Sequence, residues 1–361
     1  MEETTKGKFF AKKLLAWNGS NNDREMPWKG EKDPYKIWLS EIILQQTRVE
    51  QGLAYYNRFI TQFPTVQKLA KAPETIVFKL WEGLGYYTRC KNLIASAKYI
   101  AGELKGKFPV DYEGILSLKG VGPYTAAAIS SFAFNLPHAV VDGNVFRVLS
   151  RFYGIATPID STAGKKEFTQ LANELLDKKL PGIYNQALMD FGATVCKPQQ
   201  PLCGTCPLQT SCSAYLQEIT NELPIKEKSI IKKTRWFYYL IIEYNNAVLV
   251  HKRGAKDIWE NLYEFVLIEN DKILPLENIK KLPAVKKIFG KTSFEVMQIS
   301  KPYRQLLTHQ TIHGQFIKIK VAAPLPIAGY EAVSQKRLDK LPFPKFITGY
   351  LKDKNVSLNL L

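Results

Sequence analysis

Four cysteines, Cys196, Cys203, Cys206 and Cys212, fall in the stretch CKPQQPLCGTCPLQTSC with the spacing Cys-x6-Cys-x2-Cys-x5-Cys. Thiols this dense ligate a metal centre or pair as disulfides, and either use clamps a loop. A fifth cysteine, Cys90, makes the count odd. The N-terminal stretch MEETTKGKFFAKKLLAW has no uninterrupted apolar run, and Glu2 and Glu3 argue against a transit peptide. The expectation is a cytosolic protein with reduced thiols, so disulfides are the weaker reading. Tetrahedral thiolate sets suit zinc or an iron–sulfur cluster. Only Cys203 and Cys206 have the knuckle spacing that zinc sites commonly use in pairs, which favours a cluster and leaves zinc open.

At 361 residues the chain has room for two cores. Its formal net charge of +17 suggests a polyanionic partner, most simply nucleic acid; the alternative is a well-solvated lysine-rich surface. No run approaches the roughly 20 apolar residues that span a bilayer.

Residues 1–216 read as mostly helical. In DPYKIWLSEIILQQTRVEQGLAYYNRFITQF, Asp33 is an N-cap and Pro34 the first helical residue. Ile37, Trp38, Ile42, Val49, Leu53 and Tyr56 then recur at mainly helical spacing. TAAAISSFAF and KKEFTQLANELLDKKL continue the pattern. Residues 217–234 are polar and lysine-rich and read as a linker. Over 235–361, WFYYLIIEY and AVLVHKR flank Asn245-Asn246, a two-residue hairpin turn, and SFEVMQIS and GQFIKIKVA alternate like strands.

LSLKGVGPYTAAAI has the grammar of two helices joined by a tight turn. Gly120 and Gly122 allow close approach and positive φ, and Pro123 starts the second helix. Free N–H groups there suit a phosphate, although an ordinary helical hairpin reads the same way.

Together, KGVGPYTA, VVDGNVFRVL and the four-cysteine loop closely resemble the helix-hairpin-helix DNA glycosylase superfamily. LSEIILQQTRV, EGLGYYTRCKNL and NQALMDFGATVC resemble its adenine DNA glycosylases in particular. The likeness covers most of residues 8–215 and is fainter beyond 230, where the layout is similar to that family's Nudix-like domain. It implies a mainly α glycosylase domain whose cysteine loop carries one four-iron four-sulfur cluster, followed by a smaller α+β Nudix-like domain. It also implies a monomeric enzyme acting on double-stranded DNA that carries adenine opposite 8-oxoguanine or guanine. The target bond is inaccessible in a stacked duplex, so the base must be flipped into a pocket. Adenine leaves poorly until its ring is protonated, so the site needs an acid near the base and a negative charge near the sugar, as in glycosidases.

The resemblance assigns Glu41 as that acid; a carboxylate among Ile37, Trp38, Leu39, Ile42, Ile43 and Leu44 is also unusual for a solvated helix face. Asp142 matches the carboxylate that stabilises the sugar cation, and its place before Gly-Asn-Val-Phe equally suits an N-cap. Asn144 and Tyr124 match residues that position Asp142 and the catalytic water. Tyr124 stands where bifunctional relatives of the endonuclease III type carry a Schiff-base lysine, so a monofunctional enzyme is expected. Arg24, Met26, Trp28, Val49 and Gln186 match the adenine pocket, with Met26 where leucine is common. Gln46 and Tyr86 match residues that wedge into the duplex. Cys90 reads as structural.

In the C-terminal part, GAKDIWENLYEFVLIEN lacks the glutamate array a Nudix pyrophosphatase needs for metal ions; Glu260 and Glu264 are too few and wrongly spaced. This part therefore reads as a recognition module. Thr308 and His309 match a Phe-Ser-His loop that contacts 8-oxoguanine, with Leu307 and Thr308 replacing the first two residues. The rivals are an endonuclease III-type glycosylase for oxidised pyrimidines, a non-catalytic redox-sensing DNA-binding iron–sulfur protein, and a zinc-stabilised binding module.

Overall fold

The computed structural model describes residues 3–227 and 232–353; residues 228–231 of the expected linker lie outside the described residues. Twelve helices come first among the described residues: α1 (Glu3–Ser20), α2 (Pro34–Leu44), α3 (Val49–Gln62), α4 (Val66–Lys71), α5 (Glu74–Trp81), α6 (Tyr87–Gly102), α7 (Tyr112–Leu116), α8 (Pro123–Phe134), α9 (Gly143–Tyr153), α10 (Thr162–Leu175), α11 (Pro181–Thr194) and α12 (Ser213–Leu216). Among the described residues no helix is long and apolar enough to cross a membrane.

Local chemistry accounts for several boundaries. The Asp33 carboxylate accepts from the Tyr35 N–H at 2.9 Å, and Pro34 opens α2 without losing a hydrogen bond. Helix α2 is apolar nearly all round and buried over most of its length, so it carries Glu41 into the interior. The helical periodicity of residues 33–63 gives no sign of a break, yet α2 and α3 are separate. Gln46 lies between them in the left-handed region, at φ 55°, which an α-helix cannot accommodate.

The chain divides into two units. One comprises the described residues up to 71 together with 95–227; the other comprises 72–94 with 232–353. In the first, α1, α9, α10 and α11 pack a core that includes Phe10, Leu14, Leu149, Phe152, Phe168, Tyr184 and Phe191. Gly192 on α11 lets that helix press on the first turn of α9, because a Cβ there would stand 2.6 Å from the Asn144 Cβ. The α7–α8 connection turns through Gly120, at φ 83°, and Gly122 caps α8. The first part of the expected linker is fastened to this unit: Arg151 Nε donates to the Leu223 carbonyl at 3.0 Å and the Glu227 N–H to Asp160 at 2.9 Å.

The second unit joins α5 and the first half of α6 to a mixed sheet domain through its loops. Lys79 donates to the Leu341 carbonyl at 2.9 Å, the Phe343 N–H donates to Glu82 at 2.8 Å, and Lys91 pairs with Glu260 at 2.5 Å. The strands are β1 (Lys233–Tyr244), β2 (Ala247–Lys252), β3 (Tyr263–Glu264), β4 (Val266–Asn270), β5 (Phe294–Ile299), β6 (Tyr303–Leu306), β7 (Gln310–Val321) and β8 (Glu331–Ser334). Short helices α13 (Pro283–Phe289), α14 (Gln335–Leu338) and α15 (Lys345–Leu351) complete the unit. The main order is β3-β2-β1-β7-β5, with β1 and β7 parallel and the other pairs antiparallel. Asn245 and Asn246 both have positive φ, 46° and 59°, between the paired residues Tyr244 and Ala247, as a two-residue turn of this hand requires. Tyr238, Leu240, Ile242, Ile317 and Ile319 build one face of the core; Tyr239, Trp259, Phe316 and Phe346 stack on the other.

Candidate active site

Helix α2 supplies Glu41, α8 supplies Tyr124, and the N-terminus of α9 supplies Asp142. Glu41 is only 6% exposed. Burial pushes its carboxyl up to about 7; the Tyr124 hydroxyl, donating to it, pulls down, and the nearby Asp142 charge pushes up again. Tyr124 is itself held far above its ordinary value by burial and by the Glu41 and Asp142 charges, so it remains a donor.

Asp142 does double duty. Its Oδ1 accepts the N–H groups of Asn144 at 2.9 Å and Val145 at 2.8 Å, capping α9, while Oδ2 accepts from Asn144 Nδ2 at 2.7 Å. Burial raises its carboxyl, and these donors oppose the rise. Arg147 donates to Asn144 Oδ1 at 2.8 Å and fixes its amide, with Nδ2 towards Asp142.

A cavity of about 460 Å³ is lined by Glu41, Tyr124, Asp142 and Asn144, by Arg24, Met26, Trp28, Val49 and Gln186, and by Gln46. The four expected catalytic residues, the five expected pocket residues and one expected wedge residue thus share one wall. A second cavity of about 200 Å³ shares Trp28, Glu41 and Gln186 with the first. Trp28 rests edge-on against Tyr56 of α3 at 5.3 Å. Sequence reasoning missed the groups behind the wall. Asp190, fully buried, accepts from Gln186 at 2.9 Å and Arg24 at 2.8 Å. Its signal was a carboxylate one helical turn after Gln186 in the apolar run ALMDFGA.

The cysteine loop follows α11. Cys196 leaves the helix, Cys203 and Cys206 bracket a one-turn 3-10 helix, and Cys212 caps α12. Arginines one turn apart on α9 brace it: Arg147 Nε donates to the Cys196 carbonyl at 2.7 Å, and Arg151 donates to the Lys197 carbonyl at 2.7 Å and to the Cys196 sulfur at 3.5 Å. Burial pushes Cys206 up to about 12, against the Leu208 N–H, and the other three cysteines push it further. Burial likewise raises Cys212, against the Tyr215 N–H, and Cys196 and Cys203 add to the rise. Among the described residues no set of His, Cys, Asp and Glu closes to metal-holding geometry. The donor set nonetheless fits a thiolate-ligated centre in kind: four thiols within electrostatic reach of one another, main-chain N–H groups aimed at two sulfurs, and a guanidinium on a third. Cys90 is fully buried and free, with its thiol held well above its ordinary value by burial.

The hairpin glycines, Gly120 and Gly122, lie at the α7–α8 turn and line neither cavity. In the second unit, Leu307, Thr308 and His309 join β6 to β7, closed by the Leu307 N–H on the Gln310 carbonyl at 2.8 Å. Tyr86, 45% exposed at φ 48°, shares a 2.7 Å hydrogen bond with the Thr308 hydroxyl. Arg89 lies over the Tyr86 and Trp81 rings, 5.3 Å from each centroid. Gln46 and Tyr86 both occupy left-handed backbone, as do nine other non-glycine positions among the described residues. In the same unit Glu264 is buried on Arg253 and Tyr239, and Glu260 is paired with Lys91.

Residues 39–178 match the family described as HhH-GPD superfamily base excision DNA repair protein, and residues 237–353 match the NUDIX domain. An adenine DNA glycosylase of Buchnera aphidicola subsp. Schizaphis graminum is 36% identical over 75% of this chain and 78% of its own length. Its counterpart from subsp. Baizongia pistaciae is 35% identical over 84% of each. Among solved structures, a thermostable thymine-DNA glycosylase is 29% identical with a TM-score of 0.56, covering 60% of this chain and all of that one. A helix-hairpin-helix glycosylase domain is therefore followed by a Nudix-like α+β domain, and the chain belongs to the adenine DNA glycosylases, hydrolases that act on N-glycosyl bonds in base excision repair.

Proposed function

We propose that this chain removes adenine paired with 8-oxoguanine or guanine from duplex DNA, as a monofunctional glycosylase that flips the base into the cavity around Glu41. One observation carries the reading: two carboxylates in different environments face a single cavity. Glu41, raised to about 7 in an apolar helix, is poised to give up a proton near neutrality. Asp142, fed by three hydrogen bonds, is suited to remain charged while a cation develops.

In the reaction, the Glu41 proton passes to a ring nitrogen of adenine. The electron pair of the C1′–N bond then leaves with the base. Asp142 stabilises the sugar cation, and the Glu41 carboxylate takes a proton from the water that attacks C1′, which regenerates the acid. Tyr124 holds the Glu41 carboxyl, and Asn144 holds Asp142. Arg24, Met26, Trp28, Val49 and Gln186 enclose the base; Gln46 and Tyr86 fill the stack it has left.

Thr308 and His309 read the oxidised guanine, and the turn at Gly120 and Gly122 takes a backbone phosphate. Cys196, Cys203, Cys206 and Cys212 hold one four-iron four-sulfur cluster, which supplies a structural cross-link for the loop. We read residues 1–216 as the glycosylase domain, 217–234 as the linker, 235–361 as the recognition domain, and the enzyme as a monomer. Chromatography of the base released from duplexes carrying either an adenine mispair or an oxidised pyrimidine tests the reading. Free adenine is the expected product; release of the pyrimidine alone would move the chain to the endonuclease III type.

A further inference from the structure

Asp190 gathers donors from two segments without facing any substrate of its own. Its carboxylate, 0% exposed, accepts from Gln186 Nε2 at 2.9 Å and Arg24 Nη1 at 2.8 Å on one oxygen. The other oxygen accepts from Asn22 Nδ2 at 3.0 Å and lies 3.3 Å from Lys29 Nζ. Gln186 and Arg24 also line the cavity shared by Glu41 and Asp142.

A carboxylate oxygen accepts and cannot donate. The Gln186 amide must therefore turn its NH2 towards Asp190, and its carbonyl oxygen is the end left to meet a bound base. An acceptor at that point complements a purine bearing an exocyclic amine and opposes one bearing a carbonyl. We infer that Asp190 is a positioning residue for base specificity: by fixing Gln186 as an acceptor, it makes the pocket select a 6-aminopurine over a 6-oxopurine. The inference rests on the function proposed above.

The test is single-turnover base release by the full chain from duplexes carrying adenine or hypoxanthine opposite 8-oxoguanine. The wild-type chain should favour adenine, and Asp190→Asn should reduce that preference by roughly 10-fold or more, because an amide at 190 can donate to the Gln186 oxygen and let the side chain turn over. A purely structural role would slow both bases alike and leave their ratio unchanged. The paired exchange Asp190→Asn with Gln186→Glu swaps amide and carboxylate, presents an acceptor to the base again, and should restore the preference. It also carries the test if the single variant folds poorly. An unchanged ratio in Asp190→Asn, or a paired exchange that lacks the preference, overturns the inference while leaving the proposed function standing. A wild-type chain that releases no adenine overturns both.

Discussion

Glu41→Gln should sharply slow base release and at the same time make the helical unit harder to unfold, by an amount that depends on pH. The ordinary value for this carboxyl is 4.5, and burial lifts it to about 7 in the folded chain. Between those values the folded protein keeps a proton that the unfolded chain has already lost. The group's contribution is therefore fully present below pH 4.5 and is lost as pH rises through 7, after which a buried carboxylate opposes folding. The difference amounts to about 3 kcal/mol at pH ~8 and under about 1 kcal/mol at pH ~5. Glutamine carries no charge at either pH and still accepts from Tyr124. The variant should melt roughly 6 to 12 °C above wild type at the higher pH, with the gap nearly closed at the lower one. Circular dichroism melts at both pH values measure this, alongside single-turnover adenine release, which should fall by about 10²- to 10⁴-fold or more. Equal melting at the higher pH would refute the burial argument, and near-normal release would refute the acid role.

Three further outcomes are expected. Borohydride added during turnover should trap little covalent protein–DNA adduct, because Tyr124 occupies the Schiff-base position; abundant trapping would favour a bifunctional enzyme. Cys203→Ser should lose iron, visible as absorbance near 400 nm, and bind DNA more weakly; an iron-free protein of unchanged affinity would make the cluster irrelevant to binding. Thr308→Val removes the hydroxyl bonded to Tyr86 and should reduce the preference for 8-oxoguanine over guanine by about 5- to 150-fold, or about 1 to 3 kcal/mol, and an unchanged preference would strike Thr308 from the site.

Features set by neighbouring residues were legible in the sequence. Asp33 before Pro34, Asp142 before Gly143 and the Asn245-Asn246 pair each satisfy or bend the backbone within a few residues, and the structure reproduces all three. Glu41 stood out because most of its neighbours, Ile37, Trp38, Leu39, Ile42, Ile43 and Leu44, are apolar. What stayed hidden depends on partners far along the chain. Nothing local tells that Arg147 and Arg151 brace the loop after α11, or that Asp190 receives Arg24 from the opposite end of the domain. The left-handed backbone of Gln46 and Tyr86 escaped notice because neither residue type announces it. Residues 72–94 fall within the stretch 1–216 that reads as mostly helical, and only the pairings of Lys79, Glu82 and Lys91 with Leu341, Phe343 and Glu260 reveal that they belong with the second unit.

The most direct test of the central claim is single-turnover adenine release by the full chain from three duplexes, carrying adenine opposite 8-oxoguanine, guanine or thymine. The account predicts fastest release opposite 8-oxoguanine, slower release opposite guanine and none above background opposite thymine. Release opposite thymine at the rate found opposite 8-oxoguanine, or no release from any duplex, would contradict it.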